Sequence, residues 1–390
     1  MTAQKESVEA SDGKDRVTLR VWIGVMGTIL GAFMAVLDIQ ITNSSLRDIT
    51  GGIAATQDEG SWISTSYLIG EIVTIPLTGW LSRVFGVQRY LLVNVGLFLL
   101  FSCLCGISRS LGEMIFFRAG QGFTGGVMIP VALTVALSTL PKSKLPFGLA
   151  LFGMTATFGP VIGPTIGGWL TDNFGWQWVF YLNLLPGALM IGAIVYAIDR
   201  KTMQLDLLRE GDWIGISAMA IGLGSLIAML EEGQRKDWFG SQFIQRCGIL
   251  AAIFIPGFVI IELARKKPFV NLRLLGTRNL GISSAVNFFL GLALYGSVYL
   301  HDFRIGENVN TFRLAVQSRV EQITSAIMAK GYDPVTATKG AYAQMKNVVR
   351  REAYVMAFND AFLVVMIGLL ISAVLVWFCQ KTTTKDGMAQ

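Results

Sequence analysis

Three ionisable residues stand inside long apolar stretches of the sequence. Asp38 lies in LDIQITN, Glu71 in SYLIGEIVTIP and Arg118 in FFRAGQG. A charge at the centre of a bilayer costs about 2.5–3.5 kcal/mol on insertion scales, so such residues are functional candidates. Loss of contact with water raises the pKa of a carboxylic acid toward neutrality, and a neighbouring arginine opposes that shift. Such an acid can bind a proton from one side of a membrane and release it on the other side.

The residue types leave two interpretations of Asp38, Glu71 and Arg118 open. They supply the parts of a proton-coupling device, in which movement of the arginine changes the proton affinity of the acids. They also supply the parts of a structural ion pair that joins three helices. Glu71 is equally suited to meet a cationic substrate directly. Glu262 stands at the end of an apolar stretch, where we expect it to reach the aqueous surface or to pair with Arg265.

Residues 153–170 read GMTATFGPVIGPTIGGWL and combine an apolar character with helix-disrupting residues. The motif residues recur at four-residue spacing: Gly159, Pro160, Gly163, Pro164, Gly167 and Gly168. Four-spaced glycines form a groove that lets another helix approach closely, and proline inside a helix removes a hydrogen bond. The stretch therefore predicts a bendable, closely packed membrane helix. The alternative is an ordinary membrane helix, since Gly and Pro are common in such helices.

Composition places these residues in a membrane protein. Of the 390 residues, 53% are hydrophobic and only 15% are charged, whereas soluble proteins contain about 25% charged residues. In a membrane protein, an excess of Lys and Arg such as the one behind the net charge of +6 is typical of cytoplasmic loops. We therefore expect no nucleic-acid partner. One histidine and four cysteines without ligand-type spacing predict no metal site. The sequence contains no nucleophile elbow and no Walker loop, so we expect no catalytic residues, no enzyme activity and no cofactor.

The apolar stretches must be helices that span the membrane, because a span needs about 20 apolar residues and the alternation of a β-barrel strand is absent. We expect about ten spans, near residues 18–41, 60–80, 90–108, 111–137, 147–171, 177–198, 213–231, 243–263, 281–300 and 354–378. Lys and Arg are concentrated in alternate loops, which predicts that both termini are cytoplasmic. Residues 301–353 are polar and lie outside by this parity. Their helical spacing of apolar residues predicts an amphipathic hairpin broken at 331–334, and a solvated loop is the alternative.

Two short motifs surround the charged residues, and a third follows the second stretch. Residues 37–46 form an L-D-x-x-I-x-N-x-x-L pattern that includes Asp38 and Asn43. Arg118 begins an R-x-x-Q-G pattern that includes Gln121. The loop after the second stretch reads GWLSRVFGVQR, with the motif residues Gly79, Arg83, Gly86 and Arg89.

Together with the glycines and prolines of the fifth stretch, these motifs resemble the major facilitator superfamily. The similarity is to its fourteen-helix drug:proton antiporter branch, the EmrB/QacA type, and it covers residues 20–200. Two positions depart from the branch, since Arg47 replaces the usual proline of the first motif and Arg83 replaces the usual aspartate of the loop motif. The second departure weakens any assignment of a conformational latch to that loop.

The resemblance implies proton-driven efflux of hydrophobic or cationic compounds by alternating access, with the proton gradient as the energy source. It implies proton coupling by Asp38 and Arg118, with Glu71 as a further candidate, and rocking about the glycines of the fifth helix. Substrate-cavity candidates are Asn43, Trp62, Tyr67 and Gln121, although aromatic residues also form the interfacial belt of membrane proteins. We expect a multi-pass protein of the inner (cytoplasmic) membrane, in contact with lipid. A periplasmic adaptor, an outer-membrane channel and a homo-oligomer are partners that the resemblance admits.

The same resemblance predicts an all-α bundle with a complete first half and an incomplete second half. The expected regions are a cytoplasmic tail (1–17), a six-helix half (18–200), two central linker helices (201–265), a partial second half (266–380) and a second cytoplasmic tail (381–390). About four helices of the family are absent, and we place the join near Tyr299–Asp302. Two other functions therefore stay open: a non-transporting protein that associates with an intact transporter or adaptor, and a permease for another small solute.

Overall fold

The computed structural model describes residues 17–265, 268–285, 288, 314–329, 331, 333–342 and 344. Within these residues the chain is helical and contains no β-strand. It divides into two compact units, Met1–Asn271 and Leu272–Gln390. Most of the ninth predicted span, the whole of the tenth, the predicted join and the two expected tails lie outside the described residues, apart from Val17.

The first unit consists of helices joined by short turns. In chain order they are α1 Leu19–Ser44, α2 Leu46–Gly52, α3 Gln57–Phe85, α4 Val87–Ile107, α5 Leu111–Gly125, α6 Met128–Thr139, α7 Leu145–Phe174, α8 Trp178–Tyr181, α9 Leu184–Ala197, α10 Asp206–Arg209, α11 Trp213–Glu232 and α12 Gln242–Ala264. Polar side chains start several of these helices. Thr56 and Glu59 form a capping box at α3, and Ser110 accepts a hydrogen bond from the Glu113 amide at α5. Such caps satisfy amides that have no partner within the helix.

The described part of the chain contains eight helices long and apolar enough to cross a membrane. They coincide with the first eight predicted spans, which are confirmed. The fourth span is divided at Gly126–Val127 into α5 and α6, and the sixth is divided near Asn183 into α8 and α9. The sequence pattern did not predict these two interruptions, because an apolar run continues through each of them.

Helix α1 is the central helix of the six-span half, and it packs against α6, α7 and α9. Helix α5 lies between α3 and α4. A continuous core joins these helices, with fully buried side chains from most of them: Val25, Met34, Tyr67, Leu91, Phe98, Met128 and Met190. This packing places the inward face of α1, which carries Asp38, next to α5.

The four-spaced glycines of α7 form the surface on which α1 rests. Gly159, Gly163 and Gly167 are buried, and α1 presents Val36, Gln40 and Ser44 to them at the same spacing. A Cβ on Gly163 would lie 2.6 Å from Gln40 Cβ, closer than real Cβ contacts. Pro160 and Pro164 are exposed, and a Cβ on Gly168 would meet nothing within 4 Å. The glycine groove is therefore occupied by α1, and any hinge role of the motif stays a prediction.

The two linker helices, α11 and α12, pack against each other, and α11 also packs against α3. Trp80 of α3 meets Trp213 of α11 edge to face, with ring centroids 5.9 Å apart. Thr65 of α3 donates a hydrogen bond of 3.2 Å to Glu232 of α11. These contacts attach the linker helices to the six-span half at both ends of α11.

The expectation that Glu262 reaches the aqueous surface is wrong. Its side chain is buried, with 1% of the residue exposed, and its Oε2 accepts a hydrogen bond of 3.3 Å from the Val270 amide. The chain after α12 folds back over the helix end and covers the carboxylate. Arg265, the alternative partner, forms an ion pair of 3.1 Å with Asp212, and its charge also acts on Glu262.

In the second unit, α13 Leu314–Met328 is followed by a break and a further helical stretch from residue 334. Gly331 has a φ of +91°, a conformation that favours glycine. A Cβ on Gly340 would lie 3.1 Å from Ile327 Cδ1, so the two helical stretches are in contact. Asp333 accepts hydrogen bonds of 3.0 Å from the Val335 and Thr336 amides at the start of the second stretch. The helix, break and helix agree with the predicted hairpin in the described residues.

Candidate functional site

A buried ion pair lies at the centre of the six-span half. The Arg118 guanidinium of α5 donates through Nη1 to Asp38 Oδ2 of α1 over 2.6 Å. The two side chains are 1% and 0% exposed. Separation from water weakens screening, so the attraction between such charges is stronger than at a surface. The pair joins two of the three helices whose charges stood out in the sequence.

Neutral polar side chains complete the environment of Asp38. Its Oδ1 accepts hydrogen bonds from Gln121 Nε2 over 3.0 Å and from Asn183 Nδ2 over 2.6 Å. Both amides also donate to Ser102 Oγ, over 3.2 and 3.0 Å. Ser102 in turn donates to the Phe180 carbonyl over 2.8 Å. We call Asp38, Arg118, Gln121, Ser102 and Asn183 the Asp38 network.

The network draws its members from α1, α4, α5 and the turn between α8 and α9. This turn is the interruption of the sixth span. It directs the Asn183 side-chain amide inward, toward Asp38. Ser102 and Asn183 were not among the residues singled out from the sequence. A usable signal was present, since Asn183 is an amide within the apolar run WVFYLNLLPG. Neutral polar residues are tolerated more readily in membranes than charged residues are. An amide in an apolar run is therefore a weaker sign of function than a charge.

Arg118 is held by groups other than Asp38. Its Nε donates to the Ile63 carbonyl over 3.3 Å, and its Nη1 donates to Gln121 Oε1 over 2.7 Å. The guanidinium carbon lies 4.3 Å from the centre of the Tyr67 ring, within the range of a cation–π contact. Because α3 supplies both Ile63 and Tyr67, Arg118 connects α3 as well as α1 to α5.

Glu71 lies on the face of α3 that carries Tyr67, one helical turn farther along. It is buried, with 8% of the residue exposed, and its charge interacts with those of Arg118 and Asp38. Its carboxylate forms no hydrogen bond or ion pair with the described residues. The backbone beside it packs against Gly126, where a Cβ would lie 2.8 Å from the Glu71 carbonyl oxygen. The backbone of Glu71 therefore lies against the interruption of the fourth span, and its carboxylate is not part of the Asp38 network.

The structure separates the four substrate-cavity candidates into two pairs. Tyr67 and Gln121 are completely buried, the first beneath Arg118 and the second within the Asp38 network. Asn43 is exposed and accepts a hydrogen bond of 2.5 Å from Ser64. Trp62 is half-buried and meets the Phe243 ring of α12 edge to face at 5.7 Å. In this conformation only Asn43 and Trp62 can be reached by a solute.

The loop motif lies at the end of α3. Gly86 has a φ of +78°, which L side chains rarely adopt, and it allows the sharp turn into α4. Arg83 is exposed, Arg89 is half-buried and a Cβ on Gly79 would meet nothing within 4 Å. The motif does not contact the Asp38 network. Within the described residues, no group of three or more His, Cys, Asp or Glu side chains is arranged to hold a metal ion.

The helical fold, the buried ion pair and the glycines of the fifth span agree with the family that the motifs indicated. Residues 28–331 match the family model described as Major Facilitator Superfamily. The chain belongs to the Major Facilitator Superfamily. The resemblance predicted from four short motifs is confirmed, and so is the all-helical membrane fold.

Curated relatives of the chain include bacterial export proteins of the EmrB type. The chain is 36% identical over 310 residues to the colistin resistance protein EmrB of Acinetobacter baumannii, covering 79% of this chain and 60% of that protein. It is 35% identical over 271 residues to the multidrug export protein EmrB of Haemophilus influenzae, covering 70% and 53%. It is 34% identical over 267 residues to the fatty acid resistance protein FarB of Neisseria gonorrhoeae, covering 68% and 52%. The chain thus spans between half and three fifths of the length of these relatives.

Proposed function

We propose that the protein exports lipophilic, often cationic compounds in exchange for protons, by alternating access across the cytoplasmic membrane. The observation that carries the proposal is the Asp38 network, in which a completely buried acid is matched by one arginine and two amides. Similarity to multidrug export proteins supports the substrate class. The basic loops of the first unit support cytoplasmic termini.

Asp38 and Arg118 are the proton-coupling residues of this proposal. Protonation of Asp38 removes the charge that holds Arg118, so the guanidinium keeps only its contacts with Gln121 and with Tyr67 and the Ile63 carbonyl of α3. Release of the proton restores the ion pair and draws α3 and α5 back to α1. Proton binding is thereby converted into a shift between helices, and the α1–α7 groove offers a surface on which that shift takes place.

Glu71 is the candidate for the charge of a cationic substrate. Its carboxylate has no protein partner in the described residues, and its charge interacts with those of Arg118 and Asp38. A cation bound near Glu71 repels Arg118 and strengthens the attraction between Arg118 and Asp38. Substrate cation and proton then compete through Arg118, which is the requirement for an antiporter.

The proposal is tested with the purified chain in liposomes that carry an imposed pH gradient. Ethidium is the lipophilic cation, and its movement is followed by fluorescence. We expect uptake against its concentration gradient when the liposome interior is acidic, and abolition of that uptake by a protonophore. Ethidium movement that is indifferent to the pH gradient would refute proton coupling.

A second function is favoured by one observation, namely that the match spans only 53% of the Haemophilus influenzae relative. The chain would then act by association with an intact transporter or an adaptor, without transport of its own. The same liposomes separate the two functions. Absence of flux from the isolated chain, together with altered export when it is produced beside a full-length relative, supports the second function.

A further inference from the structure

A cavity of about 760 Å³ opens at the end of α3, far along the helix from the Asp38 network. It is lined by the loop motif, by α6 and by the segment that follows α9. The segment is fixed in place, because the Gln204 amide donates a hydrogen bond of 2.8 Å to the Val84 carbonyl. A Cβ on Gly86 would lie 3.4 Å from the Lys201 carbonyl oxygen, so the segment lies next to the glycine turn that follows α3.

Four hydrogen-bond donors of this cavity have no partner among the described residues. They are the side chains of Arg83, Lys201, Thr202 and Gln204. The other hydroxyl groups of the lining, those of Thr78, Ser82 and Thr134, donate to carbonyls of their own helices. No Asp or Glu belongs to the lining, so its formal charge is positive.

The four donors come from two separate elements of the chain. In an ordinary basic loop, by contrast, the donors would belong to one continuous segment. Arg83 comes from α3, whereas Lys201, Thr202 and Gln204 come from the segment after α9. Other basic residues, such as Lys142 between α6 and α7 and Arg209 at the end of α10, do not line the cavity. Arginine and lysine together recognise phosphate through charge-assisted hydrogen bonds. The ends of membrane helices lie at the level of phospholipid headgroups.

We propose that this cavity binds a phosphate-bearing anion, held by Arg83 and Lys201 and oriented by Thr202 and Gln204. Pockets of 300–1,000 Å³ enclose small organic molecules, so the volume suits a phospholipid headgroup with its glycerol as well as free phosphate. Arg83 replaces the usual aspartate of the loop motif, so a negative charge at this position is exchanged for a positive charge that attracts an anion. The proposal does not depend on transport activity.

Binding is measured on the full chain, purified in a non-ionic detergent and stripped of lipid. Isothermal titration calorimetry uses two probes, dihexanoyl-phosphatidylglycerol and sodium phosphate, at constant ionic strength. The double variant Arg83→Gln/Lys201→Gln is expected to weaken binding by about tenfold or more, since it removes two charge-assisted contacts. The control Lys142→Gln/Arg209→Gln loses the same charge outside the cavity, from the α6–α7 loop and from the end of α10, and its affinity should stay within about twofold of the wild type.

The two probes identify the source of the phosphate. Binding of phosphatidylglycerol alone assigns the cavity to a lipid headgroup, and binding of both probes shows that the phosphate group is sufficient. Failure of both probes to bind overturns the proposal, as does equal weakening in the test and control variants. Thr202→Val/Gln204→Met keeps both charges, and an intermediate loss in this variant supports the assignment even if the first variant misfolds.

Discussion

Asp38 and Glu71 are two buried acids of the same six-span half, yet their surroundings differ completely. Three side chains from two other parts of the chain donate to Asp38. No described group donates to the Glu71 carboxylate, although Arg118 and Asp38 interact with its charge. The first acid is part of a closed network between helices, whereas the second belongs to no such network in the described residues.

The difference suggests different roles for the two acids. Asp38 is required for the packing of its helices, whereas Glu71 is available to bind a ligand. Removal of one partner of a buried, fully paired charge is expensive, because the other charge is left buried without compensation. The Glu71 carboxylate has no described hydrogen-bond partner to lose, so its substitution should cost the fold little. In the proposed mechanism its partner is an external cation.

The largest expected effect belongs to Asp38→Asn. The substitution leaves Arg118 charged and buried without a counter-ion, which should lower the free energy of unfolding by about 3–5 kcal/mol and abolish proton-driven ethidium uptake. Unfolding is followed in detergent titrations and uptake in liposomes. The control is Asp199→Asn, which removes an exposed ion pair with Arg20 and should change stability by less than about 1 kcal/mol. Equal losses in the two variants would contradict the special role of Asp38.

Arg118→Lys should have the next largest effect. Lysine keeps the positive charge but cannot reach Asp38, Gln121 and the Ile63 carbonyl together, because it lacks the planar fork of donors. We expect a loss of about 2–3 kcal/mol in the free energy of unfolding. Uptake should become independent of the pH gradient. A variant that unfolds like the wild type would show that the positive charge alone matters.

Asn183→Ala removes one donor from Asp38 and leaves the ion pair intact. The expected loss is about 1.5 kcal/mol, the magnitude of one hydrogen bond to a charged group. Asn173→Ala is the matched control, since Asn173 is exposed and donates only to the Trp169 carbonyl of its own helix. Indistinguishable unfolding of the two alanine variants would remove Asn183 from the network.

Glu71→Gln should have the smallest effect on stability, within about 0.5 kcal/mol, because no hydrogen bond is lost. Its effect on transport is expected to depend on substrate charge. Ethidium uptake should fall about tenfold, since one attractive charge is removed, while movement of an uncharged lipophilic compound should be unchanged. A stability loss as large as that of Asp38→Asn would erase the distinction between the two acids.

The sequence was sufficient to predict the eight described spans, because each is an apolar run of about 20 residues. It also indicated Asp38 and Arg118, since charges within apolar runs are conspicuous. Ser102 and Asn183 were not singled out because neutral groups leave a weak trace in hydropathy. The inward direction of Asn183 depends on an interruption of the sixth span, which local composition does not reveal. Glu262 was misjudged because its cover comes from chain that follows the helix.

The separation of the network partners along the chain affects how the protein is made. In the sequence, Arg118 follows Asp38 by 80 residues and Asn183 follows it by 145 residues. At synthesis rates of about 5–20 residues per second, the second interval lasts about 7–30 s. Until Arg118 has been synthesised, α1 is a membrane segment with an unmatched acid. The glycine surface of α7 on which α1 rests is synthesised only near the end of the longer interval. We therefore expect the insertion of α1 to become secure only after the partners of Asp38 have followed it into the membrane.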